Sequence, residues 1–132
     1  QRMAESLYDQ MGGDISVRAL VDRFYDAMDT IPEVAEIRAL HPADLTESRE
    51  KLYLFLSGWF GGPALYVEKY GHPRLRARHL PFSIGVKERD QWMHCMRIAL
   101  AECSLSLLQK QHLEGSFSQL ADHMRNREEE QR

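Results

Sequence analysis

Three arginines at alternate positions, Arg74, Arg76 and Arg78, lead into His79, and Pro81-Phe82 follows closely. Histidine is the commonest neutral metal ligand, and the planar arginine guanidinium suits carboxylate and phosphate oxygens. Apolar Leu75, Leu80, Phe82 and Ile84 are interleaved with these polar groups. A ligand needing a metal bond, an apolar slot and an anion clamp together would suit the string, and haem is such a ligand. The same residue types also describe a solvated cationic face or a phosphate-binding loop. Local composition leaves that choice open.

Other site chemistries find less support. The 6 histidines and 2 cysteines never form a Cys-x-x-Cys or His-x-x-x-His pair of the sort that holds zinc. His94 and Cys95 are adjacent, so a helix would point them in different directions. Gly12-Gly13 has no lysine or serine at the spacing of a phosphate-cradling loop, and no nucleophile elbow is present.

The elements that must position these residues read as helices, without convincing strand alternation. The first follows Gly12-Gly13, with Asp14 as candidate N-cap. It carries Val17, Leu20, Val21, Phe24, Tyr25 and Met28 on one stripe and stops before Pro32. A short piece over 33–39 leads to His41-Pro42, where the residue before proline is pushed out of helix. The next long helix opens at Asp44, with Glu47 at capping-box spacing. It shows an apolar face of Leu52, Phe55, Leu56 and Trp59 and ends at Gly61-Gly62-Pro63. A third runs over about 86–102 with Trp92, Met96, Ala99, Leu100 and Cys103 inward. A fourth starts near Leu107 and carries Leu113, Phe117, Leu120, Ala121 and Met124. From Asn126 on, the chain reads as a polar helix end or frayed tail. The stretch 61–85, with 4 glycines and 3 prolines in 25 residues, reads as a loop long enough to be organised by function or a ligand.

The 132 residues suit one domain, with a core over about 6–124 and a polar tail over 125–132. A 43% hydrophobic, 28% charged composition with net charge −3 is that of a soluble globular chain. Interspersed charge of that sign argues against a nucleic-acid binder. No apolar run reaches the roughly 20 residues that span a bilayer, and Gln1-Arg2-Met3-Ala4-Glu5 lacks the apolar segment of a signal peptide. Cys95 and Cys103, eight apart in what reads as one helix, are too distant for a disulfide. Unpaired thiols suit a cytoplasmic setting.

Taken in order, the residues resemble a known family. The string Tyr70-Gly71-His72-Pro73-Arg74-Leu75-Arg76-Ala77-Arg78-His79-Leu80-Pro81-Phe82, followed by Arg89-Asp90-Gln91-Trp92-Met93, is similar to the second group of truncated haemoglobins. So are Leu7-Tyr8-Asp9 before Gly12-Gly13, Arg23-Phe24-Tyr25, and Trp59-Phe60-Gly61-Gly62-Pro63. The resemblance covers roughly residues 6–103. It implies an all-α fold, a two-over-two helical sandwich around haem b, with His79 as the proximal iron ligand on a short or irregular segment.

Residue by residue, the resemblance places Trp92 over the distal side with its indole N–H available, beside the distal Tyr25. His41 falls at the corner lining the distal pocket, and Ser48 at the gate position where many other globins carry a histidine. Leu52 is expected above the haem, with Phe55, Tyr66, Leu75 and Phe82 as further contacts. Arg78 matches a basic residue that can meet a haem propionate, and Lys51 is a second candidate. Arg74 and Arg76 are weaker ones, because alternation sends some of these side chains to water. The second ring N–H of His79 is expected to go to the Leu75 carbonyl one turn earlier, fixing its tautomer.

The function implied is binding of O2, CO, NO or similar small ligands at a five-coordinate iron. Trp92, Tyr25 and His41 would offer up to three donors that slow ligand release. His41 or Tyr25 as an internal sixth ligand is a further expectation to be tested. A redox enzyme, an NO dioxygenase or a peroxidase-like catalyst supplied by a separate reductase, is the alternative use of the same pocket. A haem-free helical interaction module is the remote one.

Overall fold

The computed structural model describes residues 5–127. Eight α-helices are found among them: α1 (Leu7–Met11), α2 (Asp14–Thr30), α3 (Ala35–Ala39), α4 (Thr46–Trp59), α5 (Leu65–Tyr70), α6 (Leu75–His79), α7 (Val86–Ala101) and α8 (Leu107–His123). A 3-10 turn over Pro32–Val34 links α2 to α3. Within this all-helical arrangement α2 packs on α4 and on α7, and α7 on α8. These two pairs, α2 with α4 and α7 with α8, form the sandwich.

Spacing explains the packing. Val17, Leu20, Val21, Phe24 and Met28 recur every three or four residues along α2 and are at most 2% exposed. Each such side chain stabilises the fold by roughly 1.5–3 kcal/mol through burial. On α8, Phe117 is fully buried and joins three helical neighbourhoods. Its ring stacks on Trp59 at 4.4 Å and meets Phe60 at 6.1 Å and Trp92 at 5.9 Å. Polar ties fix the remaining freedom. Arg23 on α2 donates through Nε and Nη2 to the Ala99 carbonyl of α7, at 3.1 and 3.0 Å. On α4, Tyr53 donates its hydroxyl to Asp14.

Several expectations change on the structure. Asp14 is the first residue of α2 rather than its N-cap; Gly13 holds that position with φ 74°, and the Asp14 carboxylate is taken by Tyr53. Asp44 accepts from the Thr46 N–H at 2.9 Å, closing a turn two residues long, so α4 opens at Thr46 and the Asp44–Glu47 box does not form. Ser106 and Gln109 do make a reciprocal box at the start of α8. The stretch read as a loop holds α5 and α6, short enough to fit between its glycines and prolines. Cys103 lies beyond the end of α7, and both cysteines are free. After α8, Asn126 and Arg127 are tied back to the segment around Ile84 rather than frayed. The tail over 128–132 lies outside the described residues.

Candidate haem pocket

One cavity of about 470 Å³ opens between α2, α4, α6, α7 and α8, within the range of cofactor pockets. Each of its walls follows from a local feature of the chain. On α4, Ser48, Lys51, Leu52 and Phe55 line it, spaced so that one helical face presents all four. Lys51 stands half-exposed at 3.5 Å from Glu47. Tyr66, buried on α5, closes the end beyond Phe55, the rings meeting edge to face at 6.4 Å.

The corner between α3 and α4 is built by Arg38. Its Nη atoms donate to the carbonyls of Pro42 and Ala43, both at 2.9 Å, and its Nε to Asp29 at 2.9 Å. Gln91 of α7 braces the same corner by accepting from the Ile37 N–H at 2.9 Å. This holds His41 into the cavity wall, its Nδ1 2.9 Å from the Ile37 carbonyl. A carbonyl only accepts, so Nδ1 carries the proton. Burial, with Arg38 and His79 nearby, holds the imidazole below its ordinary pKa and favours the neutral ring. Neutral His41 therefore turns a lone pair at Nε2, not an N–H, to its surroundings.

Tyr25 and Trp92 form the wall beside it. Tyr25 is 6% exposed, and burial pushes its phenol well above the ordinary tyrosine range despite Arg49. It keeps its proton, so its hydroxyl is able to donate. Trp92 sits 5.1 Å from Phe24, ring to ring, and its indole Nε1 makes no protein hydrogen bond among the described residues.

Across the cavity lies α6. His79 places Nδ1 2.6 Å from the Leu75 carbonyl, the expected partner one turn back. Nδ1–H is thereby engaged and Nε2 keeps its lone pair for a metal. Arg78 lines the cavity as well; its Nε donates to the Pro73 carbonyl at 2.7 Å and its guanidinium lies 5.9 Å from the Tyr66 ring centroid. Arg76 turns away and donates to the His123 and Arg125 carbonyls at 2.7 and 2.8 Å, at the end of α8. Arg74 caps α6 in a left-handed conformation, φ 50°, and does not line the cavity.

The structure thus brings His79, Arg78, Lys51, Leu52, Phe55, Tyr66, Leu75, Phe82 and Trp92 around one cavity, with Tyr25, His41 and Ser48. Of the apolar residues read into the slot, Ile84 lines the cavity and Leu80 does not; sequence reasoning missed Ile37, Leu40, Arg89, Leu120 and Met124. The apolar stripe of α8 signalled Leu120 and Met124 as core, but not which ligand they would face. An apolar slot, cationic side chains near its rim and a histidine with one free ring nitrogen are the donor set that a haem requires.

Comparison with known proteins bears on the family and the fold. Residues 6–126 match the family model described as bacterial-like globin. The chain is 38% identical over 122 residues to the group 2 truncated hemoglobin YjbI of Bacillus subtilis, covering 92% of this chain and 89% of that one. Among solved structures, the group II 2-on-2 hemoglobin of Agrobacterium tumefaciens superposes with TM-score 0.92 at 46% identity, covering 98% of this chain and 99% of that one. A cold-adapted truncated hemoglobin from Pseudoalteromonas haloplanktis TAC125 gives TM-score 0.91 at 43% identity, over 93% of this chain and 99% of that one.

Proposed function

Because the chain belongs to the group II truncated haemoglobins, we propose that its cavity holds haem b through His79 and binds O2 and other diatomic ligands with slow release. The observation that carries this reading is His79 itself. It lines the cavity, and the Leu75 carbonyl at 2.6 Å fixes its tautomer so that Nε2 is free for iron. Bound haem would supply an iron with an open coordination position for a small ligand.

The remaining work falls to side chains. Leu52, Phe55 and Phe82 give the ring an apolar bed and limit water. Arg78 and Lys51 offer cations to the propionates. Neither cysteine lines the cavity, and the sequence has no Cys-x-x-Cys-His, which supports a non-covalently held haem b. Tyr25 and Trp92 hold O–H and N–H donors that a partly negative ligand atom would accept. Each such bond contributes on the order of 1.5–3 kcal/mol, and two would slow release by roughly a hundredfold or more. His41 differs from the sequence expectation: with Nδ1–H given to Ile37, its neutral ring offers an acceptor rather than a third donor.

Two free thiols, that of Cys95 pushed up to about 11 by burial, support a reducing, cytoplasmic setting. No helix among the described residues is long and apolar enough to cross a membrane.

The test is the absorption spectrum of the haem-reconstituted chain in ferric, ferrous and CO-bound forms, beside His79→Ala. The wild type should show a five-coordinate, histidine-ligated ferrous form that the variant lacks. Persistence of that form in His79→Ala would overturn the assignment.

A further inference from the structure

The helix that carries His79 is poorly anchored by packing. It has five residues, none of them buried, and it does not pack extensively on any other helix. Its neighbours over Leu80–Ser83 are exposed too. Something other than a hydrophobic face must fix its position, since a five-residue helix is not stable by itself.

The ties converge on the turn that follows α8. The Asn126 side chain reaches three backbone groups of the proximal segment. Its Nδ2 donates to the carbonyls of His79, at 3.1 Å, and Phe82, at 2.7 Å, while its Oδ1 accepts from the Ile84 N–H at 2.9 Å. Two carbonyls and one N–H also settle which way the amide faces. The backbone N–H groups of Asn126 and Arg127 both donate to the Ile84 carbonyl, at 2.9 and 3.2 Å, and the Arg127 guanidinium donates to Ser83. From the other direction Arg76 of α6 donates to the His123 carbonyl, which α8 leaves unpaired at its C-terminus, and to the Arg125 carbonyl just beyond the helix.

We propose that this turn is the device that positions the proximal histidine, with Asn126 and Arg76 as positioning residues that act on the iron through His79. The proposal rests on the haem reading above. The His79 carbonyl takes the Asn126 amide and also the Phe82 N–H at 3.0 Å, so the backbone of the ligand itself is gripped, not only its vicinity. The side chain is held separately by Leu75. With backbone and side chain of the residue both held, the turn sets where His79 presents Nε2, and the bond to a bound iron would depend on it.

The experiment compares the haem-loaded wild type with Asn126→Asp and Ser106→Ala. Aspartate keeps the shape and the acceptor for Ile84 but sets a carboxylate against two carbonyls. Ser106→Ala removes the N-cap at the opposite end of α8 and leaves the turn intact. In Asn126→Asp the ferrous iron–histidine stretching band should move, and the Phe82 amide should exchange about tenfold faster relative to amides of α2, as expected for lost hydrogen bonds. Ser106→Ala should leave both where they are. Should Asn126→Asp fail to fold, Arg76→Gln carries the same comparison. An unmoved band in the substituted turn, or an equal movement in Ser106→Ala, overturns the proposal while the haem reading stands. Absence of the band from the wild type overturns the haem reading itself.

Discussion

Tyr25 and Trp92 both line the cavity, each carries one hydrogen-bond donor, and each packs against Phe24, at 4.9 and 5.1 Å. Replacement by phenylalanine therefore removes the donor while keeping most of the aromatic contact. Trp92→Phe and Tyr25→Phe should each raise the O2 dissociation rate roughly ten- to a hundredfold, measured by stopped-flow ligand replacement; unchanged rates would show that neither group meets the ligand. His41 answers to pH instead. Its folded pKa lies below the ordinary value of about 6.5, with burial the first cause. Between those two values the unfolded chain holds more protons, so stability is complete above about pH 6.5 and is lost as pH falls through the interval. The wild-type unfolding midpoint should drop relative to that of His41→Leu below about pH 6.5 and run parallel above it; parallel profiles throughout would refute the effect. The side chains that line this cavity were legible through the family resemblance carried by the strings over 70–82 and 89–93, because residue types alone left a solvated cationic face equally open. The destinations of the arginines were not. Residues 76 and 78 sit two apart on α6, so a helical turn sends one to α8 and the other to the cavity, a divergence that loop-like alternation conceals.

The long helices follow from periodicity, since a stripe of apolar residues every three or four positions has one way to be buried. Short elements carry no such signal. Neither α1, α5 nor α6 exceeds 6 residues, and each depends on contacts with residues distant in the chain. Asn126 serves α6 in this way, with its side-chain partners 42–47 positions away. The placement of α1 shows how such an element is held. The Tyr8 N–H donates to the Phe60 carbonyl at 3.0 Å, and the Tyr8 ring lies against Gly62, where any Cβ would overlap it. Gly62 also donates to the Ser57 carbonyl at 2.8 Å, so the turn cannot easily withdraw. Gly62→Ala should cost about 1–3 kcal/mol by overpacking in urea unfolding. Adding Tyr8→Ala should recover part of that loss, because the clash has been removed. Strictly additive effects would place the origin elsewhere.

The molecule as a whole divides into a framework buried away from the cavity and a side that faces it. Val17, Leu20, Phe24, Met96, Leu113 and Phe117 are fully buried within α2, α7 and α8, whereas α6 buries nothing and faces a cavity of about 470 Å³. A ligand that binds only the folded chain adds stability in proportion to the logarithm of its excess over Kd, about 4 kcal/mol at a thousandfold excess. For a chain of this size that raises Tm by more than about 10 °C. The gain should not be uniform. Stripping haem should leave most helical ellipticity in place, and amide exchange should rise first over residues 75–85, with the amides of Val17–Met28 still protected. Matching apo and haem-loaded melts would show that the cavity takes no haem. Uniform acceleration across both regions would show instead that the framework depends on the cofactor, contrary to a core buried away from it.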